Sequence, residues 1–478
     1  MSRDDDTTNE RDAPTDSDGS TDPGTPTDFG APSADATPAV VAARTADGPP
    51  DTTEIRELAA AAGYAAIGEV TQQRREDPTY DLGRGKAEDL MRLVANADAE
   101  AVIYDGSLSP GQTFSLGDLL PTGTAVIDRP RLVLELFADA ADSRAADRQL
   151  ELARLRYELP RLREAIARDS GEDVRLRPEG DSRVRDVEKR IESAERALDE
   201  IADDRAARRA ERRDAGFDLV ALAGYANAGK STLARRLADE VTDSEPGGGP
   251  ADLAVTLSVD GSPFETLSTA TRRATLGGRR TLLTDTVGFL DGLPHGAVRS
   301  FRTTIEAIRR ADCALLVVDA SDDPADLRRK LRASLSAIEA TDGPLVPVLS
   351  KADEAGEAGT EADGLAAATE AYEAAVADLD PDESPVVASL RPPVPVSARD
   401  DVGLDELAAA VADALPTATA TVAAPNGGDA QAALSWAYDR GVVEGVDYEG
   451  DAVTVELAGR PAVVDEAERR LTRGGPDG

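Results

Sequence analysis

From residue 38 onward, short apolar runs that suit buried strands alternate with segments whose apolar residues recur at helical spacing. Residues 39–43 form a short apolar run. Residues 54–62 have helical character, with Thr52 or Thr53 as a candidate N-cap. Residues 64–71 read as a strand, 85–95 as a helix, and 101–105 (AVIYD) and 125–128 (AVID) as buried strands. This alternation predicts a small α/β domain with a mostly parallel sheet over residues 38–142. Within it, Gly83-Arg84-Gly85-Lys86 reads as a plain turn before a helix, with an anion site at the helix start as the alternative.

The period then becomes purely helical. Leu150, Leu152, Leu155, Leu159 and Leu162 mark one apolar stripe, and Val184, Val187, Ile191, Ala194 and Leu198 another. Gly171, Pro178 and Gly180 lie between the stripes, so residues 143–213 are expected to form an antiparallel helical arm with a loop at its tip. Strand and helix alternate again over 214–416, with strands at 217–223, 281–284, 313–320, 345–350 and 394–398, and a surface helix at 364–378. Residues 243–252 read as a surface loop and 417–427 as a linker. A helix at 430–440, strands at 442–448 and 452–457 and a helix at 463–471 predict a small α+β domain over 428–478, with Trp436 as its core anchor.

Composition changes this picture in three ways. Residues 1–37 hold ten carboxylates against Arg3 and Arg11, cannot bury a core, and are expected to be disordered. The 478 residues carry 53 basic and 92 acidic side chains, a formal charge of −39, and only five of the bases are lysines. Carboxylates spread over every segment, with few aromatics, point to a surface adapted to high salt, where self-repulsion is screened. The arm is the exception: residues 143–213 hold 18 arginines and Lys189 against 18 carboxylates. That local balance fits helix faces laced with ion pairs, and equally a phosphate-contacting arm for RNA; charge alone does not choose. Cys313 is the only cysteine, which excludes an internal disulfide, and its apolar strand makes it a core residue. His295 is the only histidine, which excludes histidine-cluster metal sites. No apolar run reaches membrane-spanning length and no apolar leader opens the chain, so a cytoplasmic protein is expected.

The chemistry centres on residues 217–233, FDLVALAGYANAGKSTL. Gly224, Gly229, Lys230 and Ser231 fit G-x-x-x-x-G-K-S/T between a strand and a helix, as a phosphate-binding P-loop requires. Backbone N–H groups from Gly224, Tyr225, Ala226, Asn227, Ala228, Gly229, Lys230, Ser231 and Thr232 would wrap the phosphates, the glycines allow close approach, and the helix N-terminus adds partial positive charge. Lys230 is expected to reach the β and γ phosphates and the Ser231 hydroxyl to bind Mg²⁺. A strand ends in Asp285-Thr286-Val287-Gly288, where a carboxylate on the Mg²⁺ side belongs; Gly288 suits a backbone N–H on the γ-phosphate. Ser350-Lys351-Ala352-Asp353 closes another strand. A carboxylate there selects guanine, because it accepts from the N1–H and N2–H₂ edge that adenine lacks. Val396, Ser397 and Ala398 fit the loop that closes over the base.

In this order the motifs resemble those of the HflX family, within the Obg-HflX group of translation-factor-like GTPases. GYANAGKSTL, FETLSTATRR, TLLTDTVGF and VIDRPRLVLELFADAA carry the resemblance, which extends from about residue 38 to 415. It implies an N-terminal α/β domain, a helical arm and a GTPase domain, and binding to the large ribosomal subunit, with splitting or rescue of ribosomes. It also implies that Thr266, within Phe264-Glu265-Thr266-Leu267-Ser268, joins Ser231 as a Mg²⁺ ligand in a first switch. Asp285, acting through water, and the segment to Gly288 form the second. Three departures stand out. Ser350 replaces the family's usual Asn. Phe289, an apolar residue the family shares, stands where Ras-like GTPases place a water-orienting Gln, so hydrolysis is expected to be slow until a partner stimulates it. The family's Gly-rich arm loop is not recognisable between residues 169 and 190.

The expectation is therefore an α/β protein: a P-loop GTPase domain with an N-terminal α/β domain, a helical-hairpin arm and a small α+β C-terminal domain. It would be a monomeric, Mg²⁺-dependent GTPase that hydrolyses GTP on the large ribosomal subunit, with Lys230, Thr266 and Gly288 central to catalysis. The alternative is a GTP-binding RNA- or protein-interaction module with negligible turnover. An ATPase is disfavoured by Asp353, although the N-terminal domain could have a nucleotide affinity of its own.

Overall fold

The computed structural model describes residues 36–46, 48–139, 144–169, 181–238, 270–286, 288–289, 302–355, 361–379 and 385–473. Most of the acidic tail, the arm-tip residues Gly171, Pro178 and Gly180, the 243–252 loop, Phe264 to Ser268 with Thr266, Val287 and His295 lie outside the described residues.

The N-terminal region alternates β1 (Thr37–Thr45), α1 (Thr53–Ala61), β2 (Tyr64–Gln73), α2 (Arg84–Ala97), β3 (Ala101–Asp105), α3 (Pro110–Leu119), β4 (Ala125–Asp128) and α4 (Arg129–Asp139). The sheet order is β2-β1-β3-β4. All three pairings are parallel, more uniform than the mostly parallel sheet expected. Successive residues of β1 and β3 face opposite cores, as both buried faces of a parallel sheet require. Val40, Ala42, Val102 and Tyr104 pack with α2 and α3, whereas Ala39, Val41, Ala101 and Ile103 pack with Ile55, Leu58, Leu132 and Leu136 of α1 and α4. α3 was not legible in the apolar period; its start is fixed by a reciprocal Ser109–Gln112 capping box. Thr52 is the N-cap of α1, but its hydroxyl donates to Glu69 instead of serving as a cap acceptor. At the GRGK segment Gly83 is the N-cap of α2, and its N–H donates to the Gln72 side chain.

α5 (Arg144–Asp169) and α6 (Ser182–Asp214) form the arm. Antiparallel pairing is fixed by Arg156–Glu195 at 2.6 Å and Arg163–Glu188 at 2.7 Å, with Glu151–Arg190 at 3.2 Å beside them. Its own apolar seam is thin, built on Leu152, Ala194 and Leu198.

The third region holds β5 (Asp218–Gly224), α7 (Lys230–Leu237), β6 (Ala270–Leu276), β7 (Arg279–Asp285), α8 (Arg302–Arg309), β8 (Cys313–Asp319), α9 (Pro324–Ile338), β9 (Leu345–Ser350), α10 (Glu361–Ala377), β10 (Val394–Pro395) and α11 (Leu404–Ala414). The order is β10-β9-β8-β5-β7-β6, with only β6 antiparallel to its neighbour. β5 lies between β7 and β8, so the loop after it opens at the carboxyl ends of the strands, where the winding direction changes. Cys313 is a core residue as expected; burial pushes its thiol up to about 12.

β11 (Ala418–Pro425), α12 (Gly428–Asp439), β12 (Val443–Glu449), β13 (Ala452–Gly459) and α13 (Pro461–Arg473) complete the chain, with antiparallel sheet order β11-β13-β12. Two expectations are corrected here. The 417–427 stretch is not a linker: ATATVAAP pairs along its length with β13, burying Val422 and Ala424. Its Thr, Ala and Pro content hid an alternation that only the partner strand fixes. Trp436 packs against the core from its margin and is not its buried anchor; Val453, Val455, Leu457, Val463 and Leu471 fill that place. The indole is half-buried between the guanidinium groups of Arg440 and Arg470, at 4.0 and 4.4 Å.

Candidate active site

The loop from β5 to α7 is shaped by residues that tolerate positive φ. Gly224 has φ 144°, and a Cβ there would fall 2.2 Å from the Val317 carbonyl oxygen of the neighbouring strand. Asn227 and Gly229 have φ 62° and 89°, turning the chain into the N-terminus of α7. Lys230 is buried, and its Nζ donates to the Tyr225 carbonyl at 2.7 Å. Burial lowers its pKa to about 8, against an opposing pull from Asp285.

β7 brings Asp285 beside this loop. Burial pushes its carboxyl above the usual range, against stabilisation by the Ser231 hydroxyl and Lys230. Asp285 Oδ1 is buried with no hydrogen-bond partner among the described residues. The Ser231 hydroxyl and a buried carboxylate with one orphaned oxygen form a donor set suited to a hard divalent cation that keeps some of its water. Thr286 Oγ1 donates to the Leu222 carbonyl and pins the strand end. The backbone of Phe289 then pairs with the P-loop: its N–H donates to Gly224 at 3.0 Å and its carbonyl accepts from Ala226 at 2.8 Å. The Phe289 ring enters the core that also holds Tyr225, far from a water-orienting role. Gly288 has no room for a side chain, since a Cβ would stand 2.7 Å from Ala226 Cα and 2.9 Å from Lys230 Nζ.

The other part of the site, where the sequence expects the base, is assembled from β8, β9 and the segment after β10. Ser350 Oγ lies 2.7 Å from the Ala228 carbonyl and 3.0 Å from that of Val318, joining the P-loop to the next strand. A hydroxyl has one hydrogen, so it donates to one of them at a time. Lys351, at φ 55°, pairs through Nζ with Asp319 at 2.5 Å. Ala352 N–H donates to Val396, Val396 N–H to Leu349, and Asp400 N–H to the buried Ser397 Oγ. Asp353, half-buried, has no hydrogen-bond donor among the described residues.

The structure thus brings the P-loop, Asp285, Thr286, Gly288, Ser350 to Asp353 and Val396 to Ala398 to one end of the sheet, while Val287 and Thr266 lie outside the described residues. Asp319 was not singled out from the sequence, although it ends an apolar strand as Asp285 does. Glu54, which reaches Tyr225 of the P-loop from the N-terminal region, left no sequence signal because 171 residues separate the two; Arg129, which pairs with Glu54, lies in the VIDRPRLVLELFADAA run but was not singled out as a site residue.

Residues 50–138 match the family model described as GTP-binding GTPase N-terminal, and residues 219–351 match the one described as 50S ribosome-binding GTPase. The GTPase HflX of Thermococcus kodakarensis is 39% identical over 316 residues, covering 64% of this chain and 68% of that protein. The GTPase HflX of Hyperthermus butylicus is 32% identical over 377 residues, 76% of this chain and 92% of that one. The chain belongs to the HflX family of GTPases. As an HflX-family protein it binds GTP and is a GTP-hydrolysing enzyme, and the alternative of a binding module with negligible turnover is not favoured. A GTP-binding protein from Sulfolobus solfataricus, solved in complex with GDP, is similar over 79% of this chain and 98% of that one, at 21% identity and a TM-score of 0.39. No described helix of this HflX-family chain is long and apolar enough to cross a membrane.

Proposed function

We propose that the protein is a monomeric, cytoplasmic, Mg²⁺-dependent GTPase switch of the large ribosomal subunit, acting on ribosome splitting or rescue. The observation that carries the nucleotide chemistry is Asp285 Oδ1, buried beside Ser231 and Lys230 and unpartnered among the described residues. In this reading Gly224 to Thr232 wrap the phosphates and Lys230 exchanges the Tyr225 carbonyl for phosphate oxygens. Gly288 presents its N–H to the γ-phosphate. Ser231, Thr266 and, through water, Asp285 would hold Mg²⁺, which when bound would neutralise charge building on the phosphates. Ser350, Lys351 and Asp353 read guanine under the Val396 to Ala398 loop.

The ribosomal part rests on the match to a family described as 50S ribosome-binding. It does not rest on the arm's charge: Arg156, Arg163 and Arg190 are tied to carboxylates across the hairpin, which supports the ion-pair reading of those helix faces. Phe289, committed to the core, leaves the attacking water to be oriented by something other than that side chain. Slow intrinsic hydrolysis and strong stimulation by the partner are the expected behaviour. The test is GTP hydrolysis at molar KCl with Mg²⁺, with and without large ribosomal subunits from the same source. Stimulation of tenfold or more, about 1.4 kcal/mol in the barrier, is expected. GTP turnover that large subunits leave unchanged would reject the ribosomal partner.

A further inference from the structure

Tyr225 lies in the P-loop, yet its side chain reaches out of the G domain. Its backbone carbonyl accepts from Lys230 Nζ, and its hydroxyl donates to Glu54 Oε1 at 2.8 Å. Glu54 sits in the first turn of α1. The same carboxylate pairs with Arg129 at 3.0 Å and stands 3.5 Å from Arg329 of α9. Arg129 in turn closes on Asp105 at 2.7 Å, with its side chain only 9% exposed.

The position of this chain of contacts is informative. Asp105 ends β3, and Arg129 opens α4 directly after β4. β1 has β2 on one side and β3 on the other, so the carboxyl ends of β1 and β3 border a switch point. Open parallel sheets receive their ligands in that crevice. Here the groups at that edge meet a side chain of the P-loop. Arg129, itself held by Asp105, pairs with Glu54 from behind, so the carboxylate cannot turn away from Tyr225 without breaking a partly buried ion pair.

We infer that Glu54 is a positioning residue for nucleotide binding: through the Tyr225 hydroxyl, the N-terminal domain fixes the P-loop and sets how firmly Lys230 grips phosphate. Tyr225 joins the two because one residue supplies both the carbonyl that holds Lys230 and the hydroxyl that Glu54 holds. Linkage then runs both ways. Whatever displaces α1 weakens nucleotide binding, and nucleotide binding resists displacement of α1 by the same factor. The inference rests on the P-loop as the nucleotide site.

The experiment is release of a fluorescent GDP analogue from the full chain at molar KCl, with four proteins: wild type, Glu54→Ala, Tyr225→Phe and the double variant. Each single change is expected to speed release about tenfold, and the double variant to release no faster than either single one, because both remove the same contact. Glu54→Gln keeps an acceptor oxygen and is expected to recover much of the wild-type rate. Wild-type release from Tyr225→Phe, which deletes one oxygen and no packing, overturns the inference. So does a Glu54→Ala acceleration that is equally large in the Tyr225→Phe background, which is what a merely structural contact would give. Failure of the site itself reads differently: Lys230→Ala would then bind the analogue as wild type does.

Discussion

Asp218 and Asp312, at the amino end of the six-stranded sheet, are as buried as Lys230 and Asp285 at its carboxyl end, with 1%, 7%, 6% and 2% exposure. Their surroundings differ completely. Asp218 meets Arg279 at 2.7 Å and Arg460 at 3.2 Å; Asp312 meets Arg460 at 2.7 Å, Arg213 at 3.0 Å and the Leu219 N–H at 2.9 Å. These arginines come from the arm, the β6–β7 hairpin and the entry to α13, so the cluster fastens three parts of the chain together. At the other end Lys230 rests on a carbonyl of its own loop, and Asp285 keeps an oxygen with no partner among the described residues. Burying charge is costly unless it is paired. A cluster that is fully paired explains itself as structure, whereas one left incomplete needs a charged ligand to complete it.

The sharpest way to break that comparison is Lys230→Ala. It is expected to weaken guanine-nucleotide binding by about a thousandfold, since the loop loses its only buried cation among the described residues while the phosphates keep their charge. Isothermal titration with GDP and Mg²⁺ measures it, and near-normal affinity would reject the site. Next, Arg460→Ala is expected to cost about 3 kcal/mol of folding stability, because two buried carboxylates lose a shared partner. The same variant should keep its GDP affinity within about twofold. Urea unfolding and GDP titration on one preparation test both halves; a large loss of affinity would erase the distinction between the two ends.

Smaller effects sharpen the comparison. Ser350→Asn supplies two donors where the hydroxyl has one, and is expected to slow GDP release about threefold, read by stopped flow. The smallest effect is in pH. Burial pushes Asp312 up, but Arg460, the Leu219 N–H and Arg213 outweigh it and hold the carboxyl below its usual range. A carboxyl depressed on folding stabilises fully above its unfolded pKa of about 3.9, and that stabilisation fades as pH falls through the lower folded value. The stability deficit of Asp312→Asn should therefore be constant from about pH 8 to 5 and close only below about pH 4. A deficit that already shrinks between pH 7 and 6 would show that the pairing is looser than the distances indicate.

Local pattern carried the alternating elements well. Residues 101–105, 125–128 and 345–350 have the bounds their apolar runs predicted. It failed where the information is not local. β11 has the composition of a linker and becomes a strand through β13. α3 depends on its capping box, and Trp436 has the size of a core anchor but finds its place between two arginines. The P-loop was legible because phosphate binding fixes residue type and spacing over a few positions, and the DTVG and SKAD stretches stood out as motifs for the same reason, their roles belonging to the proposed function.

The sequence by itself determined the family, the GTPase chemistry and the motifs that carry it, because each is written in a short contiguous stretch. Only the tertiary structure decided which buried charges are paired and which are not among the described residues. It also decided that Tyr225 of the P-loop answers to Glu54 in another domain. Those outcomes depend on distances between residues far apart in the chain, and a one-dimensional pattern of polar and apolar positions holds no distances.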